Sequence, residues 1–216
     1  MNTDTPLEPV VLHSNTHPTS NNRAQFRNPI LIGCGAVALA TYYIFWSFIS
    51  PAFRRFRLPF LPATPTQLDN TFKLLSYAQD QKTDRSLGYV IDLGSGDGRV
   101  LIDLVNQPTL KISSAHGVEL NRPLVWYSRF KLYRIHKPAI TSKVKFTHGD
   151  IWKTDLSVYD TVLLFGVDSM MDSIEKKLNK ELRTGSIVIT ARYTLPNSEV
   201  CKAILDGPHS VFLYKI

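Results

Sequence analysis

The sequence predicts an α/β fold: a mostly parallel sheet covered by helices, with an antiparallel edge at its C-terminus. Three observations carry this. Short apolar runs alternate with helical patterns from Leu58 onward, which is the signature of a parallel sheet. A glycine-rich turn, GSGDG, sits between the first such run and the next helical pattern. The chain then ends in two short β-like runs around Asp206-Gly207, a hairpin signal.

The elements follow in order. In TPTQLDNTFKLLSYAQ, Thr64 can cap a helix, Pro65 fits its first position and Gln67 completes a capping box. GYVIDLG reads as a buried strand, DGRVLIDLVN as a helix and SSAHGVEL as a second strand. NRPLVWYSRFKLYRIH is a basic amphipathic helix, KVKFTHGD a third strand and DTVLLFG a fourth. SMMDSIEKKLNKEL places Met171, Ile174, Leu178 and Leu182 on one face, with Gly185 beyond its end, and SIVITARY is a fifth strand. The closing hairpin supplies the last two runs.

Two segments precede this domain. Residues 1–28 are polar, poor in aromatics and too weakly apolar to offset the entropy of ordering, so a disordered tail is expected. Residues 29–53 carry no charge, and Ile30 to Ile49 as a helix would cover about 30 Å, the thickness of a bilayer core. A single transmembrane anchor is expected there. Arg54, Arg55 and Arg57 follow it and two arginines precede it, a bias that puts residues 58–216 on the positive-inside face.

The net charge is +7, yet the basic residues are spread along the chain, which argues against nucleic acid as a partner. Two cysteines cannot form a disulfide framework. His13 and His17 have helical ligand spacing but lie in the polar tail, so no metal site is expected.

The glycine turn narrows the chemistry. A calcium loop starting at Asp92 would place Gly94 and Gly96 where side-chain oxygens are needed, and no GK[ST] follows to make a P-loop. A dinucleotide loop has GxGxxG, whereas Gly94, Gly96 and Gly98 are spaced GxGxG, and Asp97 would repel a pyrophosphate. S-adenosylmethionine fits better, since it is a phosphate-free nucleoside with a sulfonium that Asp92 and Asp97 would favour. Glu119, ending the second strand, can accept both ribose hydroxyls. Asp150, ending the third, can take the adenine amino group or cap a turn, and Ile151 or Trp152 can cover the ring.

At this point DLGSGDGR, GVELNRPLVWYSR, GDIWK and FGVDSMM with EKKLNKEL resemble the lysine-methylating seven-strand methyltransferases of the mitochondrial inner membrane. The resemblance implies a Rossmann-like seven-strand methyltransferase sheet. It implies S-adenosyl-L-methionine at Asp92, Gly94, Gly96, Gly98, Glu119 and Asp150, and a segment over the active site at Pro59 to Pro62, including Phe60. It also implies a membrane protein substrate, the ATP synthase c subunit first and the ADP/ATP carrier second, on the matrix side of the inner membrane. The pattern departs at Asp168, where the family commonly has proline.

Asp168 can orient a substrate ammonium, receive its proton, or serve only as the N-cap of the next helix. Phe60, Trp126, Tyr127, Trp152 and Phe165 are candidates for the rings that would suit a methylated ammonium, with Pro62 beside them, and at least one of Trp126 and Tyr127 is expected in the core. Arg129, Lys131, Arg134 and Lys137 form a basic stripe, either solvated or set against anionic lipid. Three function classes follow: a membrane-anchored lysine methyltransferase, a methyltransferase for a lipid or small molecule, and a silent cofactor-binding adaptor.

Overall fold

The structure is a computed structural model, and it describes residues 29–49 and 62–216. The tail expected at residues 1–28, and Phe60 with most of its segment, lie outside the described residues. The chain divides into two units, Met1–Leu39 and Ala40–Ile216.

Helix α1, Pro29–Ile49, forms where the charge-free stretch was expected to cross a membrane. Among the described residues, however, no helix is long and apolar enough to do so, and the expectation of a span is corrected to that extent.

The larger unit is built on a seven-stranded sheet ordered β3-β2-β1-β4-β5-β7-β6. The strands are β1 (Gly88–Leu93), β2 (Ile112–Glu119), β3 (Val144–His148), β4 (Thr161–Leu164), β5 (Ile187–Ala191), β6 (Lys202–Ile204) and β7 (Val211–Lys215). The first five pair in parallel, and β7 returns antiparallel to both β5 and β6, as the hairpin signal predicts.

The described residues also form α-helices. After α1 come α2 (Pro65–Asp80), α3 (Arg99–Val105), α4 (Arg122–Arg134), α5 (Pro138–Thr141) and α6 (Met171–Glu181). The start of α2 follows its sequence signal: Thr64 Oγ1 accepts from Gln67 N, and Gln67 Oε1 accepts from Thr64 N, both at 3.2 Å.

Alternate strand residues feed two cores, as the two-residue period of a strand requires. Val90, Leu163, Ile189 and Leu213 join Leu75 of α2, Leu101 of α3 and Val125 of α4 on one face. Ile91, Val162, Val188 and Tyr214 join Met171, Ile174 and Leu178 of α6 on the other. The apolar stripe read for α6 is therefore the one it buries.

The strand order reverses at β1. From there the chain moves outward through β2 and β3, then returns to the far side of β1 with β4, opening a crevice at the carboxyl ends of the strands. Register brings those ends level, because Leu93 pairs with both Val118 and Leu164, and Glu119 pairs with His148. The segments after β1, β2, β3 and β4 thus share one edge.

Candidate active site

The loop after β1 is shaped by its glycines. Gly94 and Gly96 have φ of 91° and 53°, left-handed values that cost a side-chain-bearing residue about 1 kcal/mol or more. Gly98, at φ 77°, is the residue from which α3 departs. A Cβ there would meet Phe146 Cζ at 2.5 Å and Ser128 Cβ at 2.8 Å, so only glycine lets the loop lie against β3 and α4.

Glu119 closes this loop from the end of β2. One carboxylate oxygen accepts from Gly96 N at 3.0 Å and the other from Asn121 N at 2.8 Å. The side chain expected to bind a ribose therefore also sets the loop that would hold the rest of the ligand.

Asp92 is the electrostatic centre of the site. It is buried, and neither of its carboxylate oxygens has a hydrogen-bond partner. Burial, then the charges of Glu119 and Asp97, push its carboxyl up to about 8. Ser95 Oγ, in the same loop, is likewise buried and unpartnered. Buried polar groups normally find partners, so two orphaned ones at the mouth of a glycine loop mark a place completed by a ligand. A cation-bearing, phosphate-free nucleoside such as S-adenosylmethionine fits that donor set, because a positive charge offsets the cost of the buried carboxylate.

Asp97 behaves differently from the expectation. Its carboxylate accepts from Arg99 N and Nε at 3.2 and 3.1 Å and from Lys131 Nζ at 3.1 Å, and its carbonyl accepts from the same lysine at 3.2 Å. Burial alone would raise its pKa, but these bonds outweigh burial and lower it. The carboxylate is neutralised by α3 and α4, so its charge does not select the ligand. Its role is to pin the loop to both helices.

Asp150 shows the turn-capping alternative: its carboxylate accepts from Trp152 N at 3.0 Å, and its carbonyl accepts from Lys153 N and Thr154 Oγ1, each at 3.0 Å. Ile151 is buried in the second core, and Trp152 is partly buried against it. Phe165, just past β4, is partly buried against the first core. Pro62 is exposed.

Asp168 does not cap a helix. It is exposed, begins a single 3-10 turn, Asp168–Met170, and neither that turn nor α6 has a side-chain cap. Trp126 and Tyr127 are not core residues either, being 57% and 52% exposed on α4. The stripe that α4 buries is Leu124, Val125 and Ser128, which leaves its aromatics facing away from the sheet. Of the basic stripe, Lys131 is committed to Asp97, and Arg129 Nε donates to Phe146 O at 2.9 Å.

Three further groups escape sequence reasoning. Gly117 in β2 has no room for a Cβ, which would lie 2.5 Å from Phe146 Cδ1 and 2.6 Å from Ser95 Oγ. A glycine inside a strand is the one signal that could have revealed this close approach. His116 Nδ1 lies 2.5 Å from Tyr159 Oη and its Nε2 lies 2.7 Å from Thr147 Oγ1, a network tying β2, β3 and the approach to β4. Buried Glu175 of α6 accepts from Asn197 N, Asn197 Nδ2 and Ser198 Oγ and so holds the loop after β5.

Residues 92–202 match the family described as the ANTKMT methyltransferase domain. The lysine N-methyltransferases of Xenopus laevis and Homo sapiens that are named for the ATP synthase c subunit are each 36% identical to the chain, over 84% and 83% of it and 74% and 71% of their own lengths. The adenine nucleotide translocase lysine N-methyltransferase of Mus musculus is 30% identical over 82% of the chain and 73% of its own length. Among solved structures, an RNA methyltransferase from Salinibacter ruber in complex with S-adenosyl-L-homocysteine superposes with a TM-score of 0.61 at 20% identity. The match covers 72% of the chain and 94% of that structure, a likeness of fold.

Proposed function

The chain belongs to the ANTKMT methyltransferase-domain family and is an S-adenosyl-L-methionine-dependent methyltransferase acting on protein lysine; within that class, we propose that it methylates a lysine of the ATP synthase c subunit. The observation carrying the substrate is the 36% identity to enzymes named for that activity, against 30% to the one named for the translocase.

The cofactor supplies a methyl group on a sulfonium, an electrophile needing a neutral amine in line with it. In this reading Asp92 offsets the cofactor's positive charge, Glu119 takes the ribose hydroxyls, and the turn at Asp150, with Trp152, borders the adenine. Gly94, Gly96 and Gly98 let the backbone approach closely. Phe165 lines the methyl-accepting side, where exclusion of water lowers the lysine pKa and frees its lone pair. In the same reading Asp168, exposed in the 3-10 turn beyond β4, attracts the incoming ammonium.

A mitochondrial inner-membrane location, with residues 58–216 facing the matrix and membrane lipid as a second partner, belongs to the same proposal. It is supported by the membrane-embedded nature of the proposed substrate and by the absence of charge between Arg27 and Arg54. Tethering enzyme and substrate to one surface raises their effective concentration.

The test is methyl transfer from radiolabelled cofactor to mitochondrial membranes by the full chain. Label in a small proteolipid is the expected result. Label in the carrier or in the lipid extract would refute the substrate assignment. Glu119→Ala should abolish cofactor binding as well as transfer, and an unchanged cofactor affinity would refute the site.

A further inference from the structure

Helix α4 turns an unusual face to solvent. Trp126, Phe130 and Tyr133, spaced i, i+4 and i+7, form one stripe opposite the buried Leu124, Val125 and Ser128, and are 57%, 55% and 76% exposed. Tyr127 flanks them, also half exposed. An apolar stripe on the outside of a helix that already has a buried face is not explained by folding.

The charge around it has one sign. Between Glu119 and Asp150 there is no acidic residue, while Arg122, Arg129, Arg134 and Lys137 are exposed along or just past the helix. Arg134 lies over the Phe130 ring at 5.7 Å, which keeps cation and aromatic side by side. Aromatic rings with basic neighbours are the composition of a headgroup-level surface, where rings enter the interface and Lys/Arg meet anionic lipid. Next to the stripe is an open groove of about 510 Å³ lined by Arg129, Leu132, Tyr133, His136, Pro138 and Thr141.

What covers this face is indicated within the unit that begins at Ala40. There the Tyr43 ring stacks on Trp126, centroids 6.2 Å apart and planes 24° apart, which extends the α4 stripe by one more aromatic ring. We infer that the outer face of α4 is an anionic-membrane docking surface, on which Trp126, Phe130 and Tyr133 enter the lipid interface while Arg134 and Lys137 contact acidic headgroups. This rests on the membrane reading above and adds to it a defined orientation. With α4 lying on the bilayer, the sheet edge that follows β2 is held near the surface where a membrane substrate would present its lysine.

The experiment uses the full chain with Cys34→Ser and Cys201→Ser, carrying a nitroxide at Tyr133→Cys or, as a control on α6, at Lys180→Cys. Collisional access of oxygen against a polar nickel chelate is read on phosphatidylcholine vesicles with and without cardiolipin. The inference expects Tyr133→Cys to become lipid-exposed on cardiolipin vesicles alone, with Lys180→Cys aqueous on both. Arg134→Gln with Lys137→Gln should weaken binding to cardiolipin vesicles about 25-fold, at about fivefold per basic residue, so that the shift at 133 needs correspondingly more lipid. A chain that binds vesicles while the label at 133 stays aqueous overturns the docking face and leaves the membrane reading intact. A chain that does not associate with vesicles overturns both. Shielding of the label by oligouridylate, without a response to vesicles, would instead make the face a nucleic-acid surface and sink the inference.

Discussion

Replacing Asp92 with asparagine tests whether the glycine loop is built around an unfavourable buried acid. The carboxyl titrates near 3.8 when the chain is unfolded and at about 8 in the fold. At pH 7 the native protein must keep a proton that the unfolded chain releases. The gap between 7 and 3.8, at about 1.36 kcal/mol per unit, amounts to about 4 kcal/mol. Asparagine has the same shape and no proton to retain, but it buries an amide in the same unpartnered position, which costs about 1–3 kcal/mol. A net stabilisation of the cofactor-free chain by about 1–3 kcal/mol at pH 7 is therefore expected.

The sign with pH follows from the raised folded value. The stability associated with protonated Asp92 is fully present below about pH 4 and is lost as pH rises to about 8, so Asp92→Asn should be the less stable chain near pH 4, match wild type between about pH 4.5 and about pH 6, and gain its advantage toward pH 8. Urea unfolding of wild type and variant across that range measures it. Cofactor binding should change in the opposite direction. A cation beside Asp92 favours its ionised form, so wild-type affinity should rise as pH approaches 8, with a proton released, while the variant binds weakly and without that slope. A variant no more stable than wild type at pH 7, or a difference independent of pH, would show that the buried carboxyl is not the strained centre of the loop.

Other predictions probe how the loop and sheet are held. Gly98→Ala combines a left-handed φ with overlap onto Phe146 and Ser128, and a loss of about 2–4 kcal/mol with disrupted cofactor affinity should appear in unfolding and binding titrations. His116 has its pKa lowered by burial and then by Lys145. The stability it contributes above about pH 6.5 should thus be lost as pH falls through its folded value, and His116→Asn should flatten that limb of the stability profile. Glu175→Ala strips the acceptor from Asn197 and Ser198 and should cost about 3 kcal/mol in urea unfolding, with faster amide exchange at Asn197.

The parts of the fold legible in the sequence are those where a local rule has no competitor. Thr64, Pro65 and Gln67 can do little else than begin a helix, and they do. The two-residue alternation that splits Val90 from Ile91 between two cores is written in the apolar runs themselves. Helix α4 resists such reading because its pattern satisfies two stripes. Leu124, Val125 and Ser128 face the sheet, and Trp126, Phe130 and Tyr133 face out, so hydrophobicity alone could not say which was buried. Residues 29–53 show a different limit: the absence of charge is a property of the whole segment, yet among the described residues no helix is long and apolar enough to cross a membrane.

The acids of the glycine loop show how far spacing can carry an argument about chemistry. Asp92, near the end of β1, and Asp97, in the loop that follows, are neighbours in the sequence, and either could be assigned the task of attracting a cation. Lys131, thirty-four residues beyond Asp97, decides between them. Nothing in GSGDG announces that a lysine in the last turn of a later helix will reach back to this carboxylate, and only the packing of α4 on β2 and β3 brings it there. Once Asp97 is neutralised, the carboxyls left to meet a cation are Asp92 and Glu119. Of these, Glu119 already accepts two backbone N–H groups, leaving Asp92 with both oxygens bare. On the proposed reading, selectivity for a cationic nucleoside rests on the acid that burial leaves unsatisfied, and the acid that broke the dinucleotide pattern serves to lock the loop in the shape that leaves it so.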